Sequence, residues 1–261
     1  MSLEAIAYSV VVELAVAKTR SKLPLLSHAL HAQVLAWIAL ADANLAKQLH
    51  MAQVSPLSIS PLRGKSPKRD IKAGDRVYFR VGILASPYAQ ALLSGIEQWG
   101  DRALTLNNHP FQIVSVLTLP GSHILAGATP YALLHQTQAV TTLTLAFQSP
   151  TSFKQGNNNI QPLPLPELVF GGLQRRWNAF APEALRFERI EWHGWVSAYT
   201  LKTHRLTIKN STQIGAQGQI SYEFRDPVQA KRAAILAQFA FFAGVGRKTA
   251  LGMGQCQSLS T

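Results

Sequence analysis

The hydrophobic pattern of the chain runs through one order of elements twice, and that order leaves few folds open. Tyr8–Lys18 is Val-rich with weak alternation, the mark of a buried strand. Ser27 opens a helix in which Leu30, Val34, Trp37, Ile38 and Leu45 recur near helical spacing. Asp42-Ala43-Asn44 breaks or bends it, and Leu45–His50 supplies a last turn. Ser55–Pro61 reads as a turn and short strand, Val77–Leu84 as an alternating strand, and Ser86–Trp99 as a helix opened by Pro87. Ala103–Leu106 and Phe111–Leu119 close the set as strands. The second half repeats the order. Thr137–Phe147 is a strand, Ser149–Pro166 a proline-rich loop and Glu167–Phe180 a helix. Ile190–Ile208 and Ile214–Phe224 form a polar hairpin, a helix runs from Asp226 to Phe242 with Gly244 as its cap, and Gly252–Gln257 is the closing strand.

Two passes through strand, helix, strand, strand, helix, strand predict an α+β fold of two tandem ferredoxin-like (RRM-like) domains, 1–122 and 123–261. A chain of 261 residues suits that count. Charge narrows the partner. Against 13 Asp and Glu stand 25 Lys and Arg, a net charge of +12 spread over both halves, which points to a polyanion such as RNA. The single Cys256 excludes a disulfide scaffold or a cysteine-rich zinc site, and no His, Asp and Glu spacing resembles a metal site. Glu4 and Glu13 interrupt any secretory pattern, and Ala233–Gly246 is too short to span a bilayer. A cytoplasmic protein that binds no membrane is the expectation.

The sharpest local feature is Gly244-Val245-Gly246-Arg247-Lys248-Thr249-Ala250-Leu251-Gly252-Met253-Gly254. Glycines let backbone amides approach an anion, and Arg247 and Lys248 add charge. A dinucleotide-binding reading fails, because Thr249 stands at the third glycine position and the segment ends a helix instead of opening one. A P-loop reading fails at Phe241 and Arg247. In isolation the segment reads equally well as a helix cap followed by a tight turn.

This segment resembles the C-terminal glycine-rich loop of the CRISPR-associated RAMP superfamily, in particular its repeat-processing endoribonuclease, the sixth Cas family. Leu45-Ala46-Lys47-Gln48-Leu49-His50 is similar to that family's histidine-bearing turn, and Ser58-Ile59-Ser60-Pro61-Leu62 to the short strand after it. Phe147-Gln148-Ser149-Pro150-Thr151-Ser152-Phe153 is similar to the opening of the family's second half, continued by Pro164-Leu165-Pro166 with Val169-Phe170. The resemblance implies cleavage of precursor crRNA without metal or cofactor. The 2′-OH attacks the adjacent phosphate, leaving 2′,3′-cyclic phosphate and 5′-OH ends. It implies CRISPR repeat RNA as partner, other Cas proteins as potential companions, and room for a homodimer. A non-catalytic RNA-binding subunit of a CRISPR effector is the alternative, and a basic RNA-binding protein of another kind the second.

Such chemistry needs a base, an acid and cations for the phosphorane. His50 matches the family's histidine and ends a helix, where the dipole favours the protonated form. Lys47 lies one turn before it on nearly the same face. His31 is a lesser candidate, because a continuous helix would put it about 28 Å from His50, a rival but not a partner. Leu35 stands where some members carry a tyrosine, which leaves the second catalytic group open. The expected RNA contacts are Gly244, Gly246, Arg247, Lys248, Thr249, Gly252 and Gly254 of the loop, the basic run Arg63, Lys65, Lys68 and Arg69, and Lys209 of the hairpin. Arg175 and Arg176 are read equally as RNA phosphate contacts or as ordinary solvated residues of a helix, and Trp192 and Trp195, three apart and so not on one strand face, as core residues or part of a bulge.

Overall fold

The computed structural model describes residues 5–19, 25–64, 70–156, 159–208 and 211–259. The first half contains β1 (Ile6–Val16), α1 (Ser27–Ala41), α2 (Ala43–Met51), β2 (Leu57–Ile59), β3 (Arg63–Gly64) and β4 (Arg76–Ile83). It continues with α3 (Ser86–Trp99), β5 (Leu104–Leu106), β6 (His109–Leu117), β7 (Gly127–Pro130) and α4 (Tyr131–His135). The second half contains β8 (Thr142–Thr151), β9 (Phe153–Gln155), β10 (Asn159–Gln161) and α5 (Pro166–Phe180). It ends with β11 (Trp195–Ile208), β12 (Ser211–Glu223), α6 (Pro227–Ala243) and β13 (Cys256–Leu259).

The first sheet runs β2-β4-β1-β6-β5, with β3 on β4 and β7 on β1, and the second runs β11-β12-β8-β13. All pairs are antiparallel. Within each half the main strands lie in the order second, third, first, fourth, so the fold is the tandem ferredoxin-like one that the repeated order predicts.

Boundaries shift where side chains compete for backbone partners. Strand β8 begins at Thr142 and not at Thr137, because the Thr137 amide and Oγ1 both donate to the Leu134 carbonyl and close α4. Strand β11 begins at Trp195 and not at Ile190. The stretch before it is tied to helices: the Glu188 carbonyl accepts from Gln174 and Arg232, and the His193 amide donates to Gln229 Oε1. The loop expected over Ser149–Pro166 holds the end of β8 and the small β9–β10 hairpin.

One core joins Val10, Val12, Leu14, Leu30, Val34, Trp37, Phe79 and Val81 between the first sheet and helices α1 and α3. The two helices cross tightly because residue 95 is glycine; a methyl there would collide with the Trp37 carbonyl oxygen. The other core gathers Leu145, Phe147, Phe170, Trp177, Tyr222 and Phe239, and takes in Ala7, Leu84 and Tyr131 from the first half. Helix α6 is apolar on every side, as a helix between two layers must be: Ala233, Ile235, Leu236, Phe239, Ala240 and Phe242 are all buried. Asp226 caps its start by accepting from the amides of Val228 and Gln229.

The far end of α6 is buried as well, so its last carbonyls need partners other than water. Two arginines and a serine supply them. Arg80 of β4 donates to the Phe241 carbonyl and to Gln255 Oε1, and Ser58 Oγ donates to the Phe242 carbonyl at 2.8 Å. Arg176 of α5 donates to the Ala243 carbonyl, to Thr249 Oγ1 and to the Ser55 and Leu57 carbonyls. Arg176, read from the sequence as a helix-surface residue, is therefore buried, and so is Arg80. Burial, joined by Arg63 for Arg80, lowers their basicity to about 9 and about 10, so both stay cationic near neutral pH. Replacing Arg176 by Met strips several buried acceptors at once and should cost at least ~2 kcal/mol of unfolding free energy. Equilibrium denaturation measures it; a change within error would show that those carbonyls need no donor.

Candidate RNA interface and catalytic site

The break at Asp42 builds the first part of the site. Asp42 adopts φ −152° and ψ 100°, which no helical residue does, and its side chain accepts from the Leu45 amide to cap a second helix. Leu49 anchors α2 in the first core, which leaves Lys47 and His50 exposed. The chain therefore turns at Asp42 and does not run straight. Burial lowers the pKa of His31, and the charges of His28 and then His50 lower it further. The expected wide separation of the two histidines rested on a continuous helix, and the break at Asp42 removes that premise. His31 Nδ1 is buried and has no hydrogen-bond partner.

The glycine-rich segment supplies the second part. It leaves α6 at Gly244, turns through Lys248 in the left-handed region (φ 55°), makes a 3-10 turn over Thr249–Leu251 and enters β13. Its shape follows from close backbone approaches. A methyl at Gly246 (φ 77°) would strike the Ser152 carbonyl oxygen, and one at Gly254 (φ 69°) the Val245 carbonyl oxygen. Most loop amides are already committed. Those of Gly244, Val245, Arg247, Leu251, Gly252 and Gly254 donate to the carbonyls of Ala240, Gly254, Ser152, Lys248, Ile59 and Pro150.

Gly244, Thr249, Gly252 and Gly254 are buried, and Thr249 Oγ1 faces Arg176, so these four hold the loop in place. Gly246 is exposed, and Arg247 and Lys248 are half-buried. Arg247 Nη1 donates to Gln213 Oε1 of β12 at 2.9 Å, fastening the loop to the long hairpin. Burial, then the neighbouring Arg247, lowers the pKa of Lys248. The loop reaches the histidines through Gly252, which packs against Ser27, one turn before His31 on α1.

Of the other expected contacts, Arg63 is half-buried on β3 and donates from Nη1 to Gln148 Oε1 at 3.1 Å, bridging the two halves. Lys65, Lys68, Arg69 and Lys209 lie outside the described residues. On the hairpin, Lys202, His204 and Arg205 are exposed, as is Tyr199, while Trp195 stacks under Arg225. Of the two tryptophans, Trp192 is a core residue and Trp195 is exposed. No group of three or more His, Cys, Asp or Glu among the described residues could hold a metal ion. No described helix is long and apolar enough to cross a membrane.

Sequence reasoning missed Arg80 and Arg176 as the residues that fix the loop. For Arg176 a signal was present: it lies three residues after Leu173 and seven after Val169, on the apolar stripe of its helix. Arg80 carried no such mark, since it occupies the polar phase of an alternating strand whose second face is also covered.

Residues 145–256 match the sequence profile of the CRISPR-associated endoribonuclease Cas6. The chain is similar to a solved Cas6 product complex with 25% identity and a TM-score of 0.82, over 97% of this chain and 100% of that one. A second Cas6 product complex matches with 24% identity and a TM-score of 0.81, over 98% and 100%. A Cas6-related protein from Pyrococcus furiosus matches with 13% identity and a TM-score of 0.68, over 97% and 99%. No curated protein sequence matches the chain. The resemblance to the repeat-processing Cas family thus holds, in profile over much of the second half and in fold over nearly the whole chain.

The coupling of the histidines has a measurable sign. Because the folded pKa of His31 lies below the model-compound value of 6.5, the unfolded chain binds more protons there. Stability therefore falls as the pH drops below about 6.5. Replacing His50 by Gln removes one repulsive neighbour and should raise the His31 midpoint in an NMR titration. An unchanged midpoint would show that the two rings do not sense each other.

Proposed function

We propose, from a second half that carries the Cas6 endoribonuclease profile and a whole chain that takes the Cas6 fold, that this protein binds CRISPR repeat RNA and cuts precursor crRNA. In this reading the 2′-oxygen attacks the adjacent phosphorus, the new O–P bond forms as the P–O5′ bond breaks, and 2′,3′-cyclic phosphate and 5′-OH ends result. One proton leaves the 2′-OH and one is delivered to the 5′-oxygen. His50 is the proton-transfer residue, and His31 is the second group. Burial and two histidine neighbours hold His31 neutral more readily than a free imidazole, which suits an acceptor of the 2′-OH proton. Lys47, one turn before His50, adds charge for the phosphorane.

The observation that supports this reading best is the break at Asp42. It ends α1 and starts α2, which carries His50, whose charge reaches His31 on a helix whose start packs against the glycine-rich loop. On that loop Gly246, Arg247 and Lys248 are the outward-facing contacts for RNA phosphate, with Arg63 as a further cation. Hairpin RNA keeps its bases in a deep, narrow groove, so a basic surface of this kind reads backbone and shape.

Incubating the protein with labelled repeat transcript in EDTA tests the chemistry. The expected result is a single cut ending in cyclic phosphate. His50→Ala should lose at least ~10²-fold in single-turnover rate while gel-shift affinity stays the same. His31→Ala should slow the cut and flatten one limb of its pH profile. Tight binding with no cut by the wild-type protein would instead favour a non-catalytic RNA-binding subunit.

A further inference from the structure

Most interior glycines of this chain are explained by what lies against them. A methyl at Gly82 would meet the Phe242 carbonyl, one at Gly215 the backbone of Thr151, and one at Gly218 the Thr200 carbonyl. Gly171 and Gly172 differ. They sit consecutively in the middle of α5, where glycine is the least favourable residue after proline. A methyl at Gly172 would meet nothing within 4 Å, and one at Gly171 only Trp192 Cδ1, at an ordinary 4.0 Å. None of the described residues requires bare backbone at either position.

Beside Gly171 runs a cleft of about 810 Å³ between α5 and the extended segment before β11, lined by Glu167, Gln174, Arg175, Arg189, Glu191 and Trp192, among others. Trp192 is only 8% exposed, and its Nε1–H has no hydrogen-bond partner. The Cδ1 that lies 4.0 Å from where a Gly171 methyl would stand is bonded to that nitrogen, and Trp192 is among the residues that line the cleft. Arg175 and Arg189 are exposed and make no hydrogen bond or ion pair with the described residues. The cleft thus combines two unused guanidinium groups, an unused buried N–H and carboxylate acceptors beside backbone that anything can approach closely. These are the complements of a phosphate, a nucleobase edge and a ribose hydroxyl.

We propose that this cleft seats an unpaired nucleotide of the bound RNA. Its phosphate is held by Arg175 and Arg189, and its ribose-phosphate backbone passes over Gly171 and Gly172. The proposal deepens the RNA-processing reading and rests on it. An RNA occupant is favoured over an acidic peptide by the net charge of +12 and by the helix itself, since α5 also carries Arg176, which fixes the glycine-rich loop.

Two readouts of opposite sign test it. Gly171→Ala should raise the melting temperature by about 2–4 °C, because alanine suits a helix interior better and has room. Gly171→Leu and the Arg175→Ala/Arg189→Ala pair should each weaken binding of repeat RNA that carries unpaired flanks by about tenfold. Affinity for the hairpin without flanks should not change. A lower melting temperature for Gly171→Ala would mean that the glycine serves the fold, and the proposal fails. Wild-type affinity of Gly171→Leu for flanked RNA, with cleavage intact, would also overturn it while leaving the endoribonuclease reading in place; that is the result expected if the cleft takes a peptide. A wild-type protein that binds neither RNA would remove both.

Discussion

The carbonyl groups at the end of α6 govern how the rest of the molecule fits together. A helix that ends inside a protein exposes acceptors which no other part of the helix can satisfy, and its dipole adds partial negative charge there. Here the answer is cationic and comes from both sides. Arg80 arrives from the first sheet and Arg176 from α5, with Ser58 closing the gap. Neither guanidinium has a carboxylate partner among the described residues; each keeps its charge and is held by a fan of carbonyl, amide and hydroxyl oxygens. The same groups reach past the helix end to Gln255 and Thr249, so they also set the course of the glycine-rich segment.

That arrangement explains what could be read from the sequence and what could not. Helix α3 was legible to the residue, because Pro87 and Gly100 mark its ends and its apolar stripe is regular. Whereas the short β3, β7, β9 and β10 were not read, the order of the main strands was legible from alternation and turn residues. The start of β8 was not, since Thr137 looks like strand and acts as a helix stop, and only tertiary context decides which backbone partner a threonine takes. Strand β11 misled in the same way: Ile190–Gly194 has the composition of a strand, but the His193 amide donates to the side chain of Gln229 on α6.

The candidate site shows the limit more sharply. Asp42-Ala43-Asn44 was recognisable as a break, but the angle of a break is not written in the residues that make it. A distance taken along a straight helix therefore rested on a continuity that Asp42 breaks. The glycine-rich loop taught the converse. Its composition suggested a row of free amides, whereas most of them hold the loop to Pro150, Ser152 and Ile59. Glycine there answers mainly to the crowding of backbone against backbone, and the outward face is left to Gly246, Arg247 and Lys248.

The sharing of the α6 terminus bears on the history of the chain as well as on its shape. A molecule made of two like halves suggests a joining of units that could once stand alone. Yet the donors for one helix end are drawn from both halves, and Tyr131 and Ala7 of the first lie in the core of the second. Cut between α4 and β8, the second half would keep Arg176 but lose Arg80, Ser58 and part of its apolar interior. The two units have become structurally interdependent, and the seam between them is where the glycine-rich loop is held.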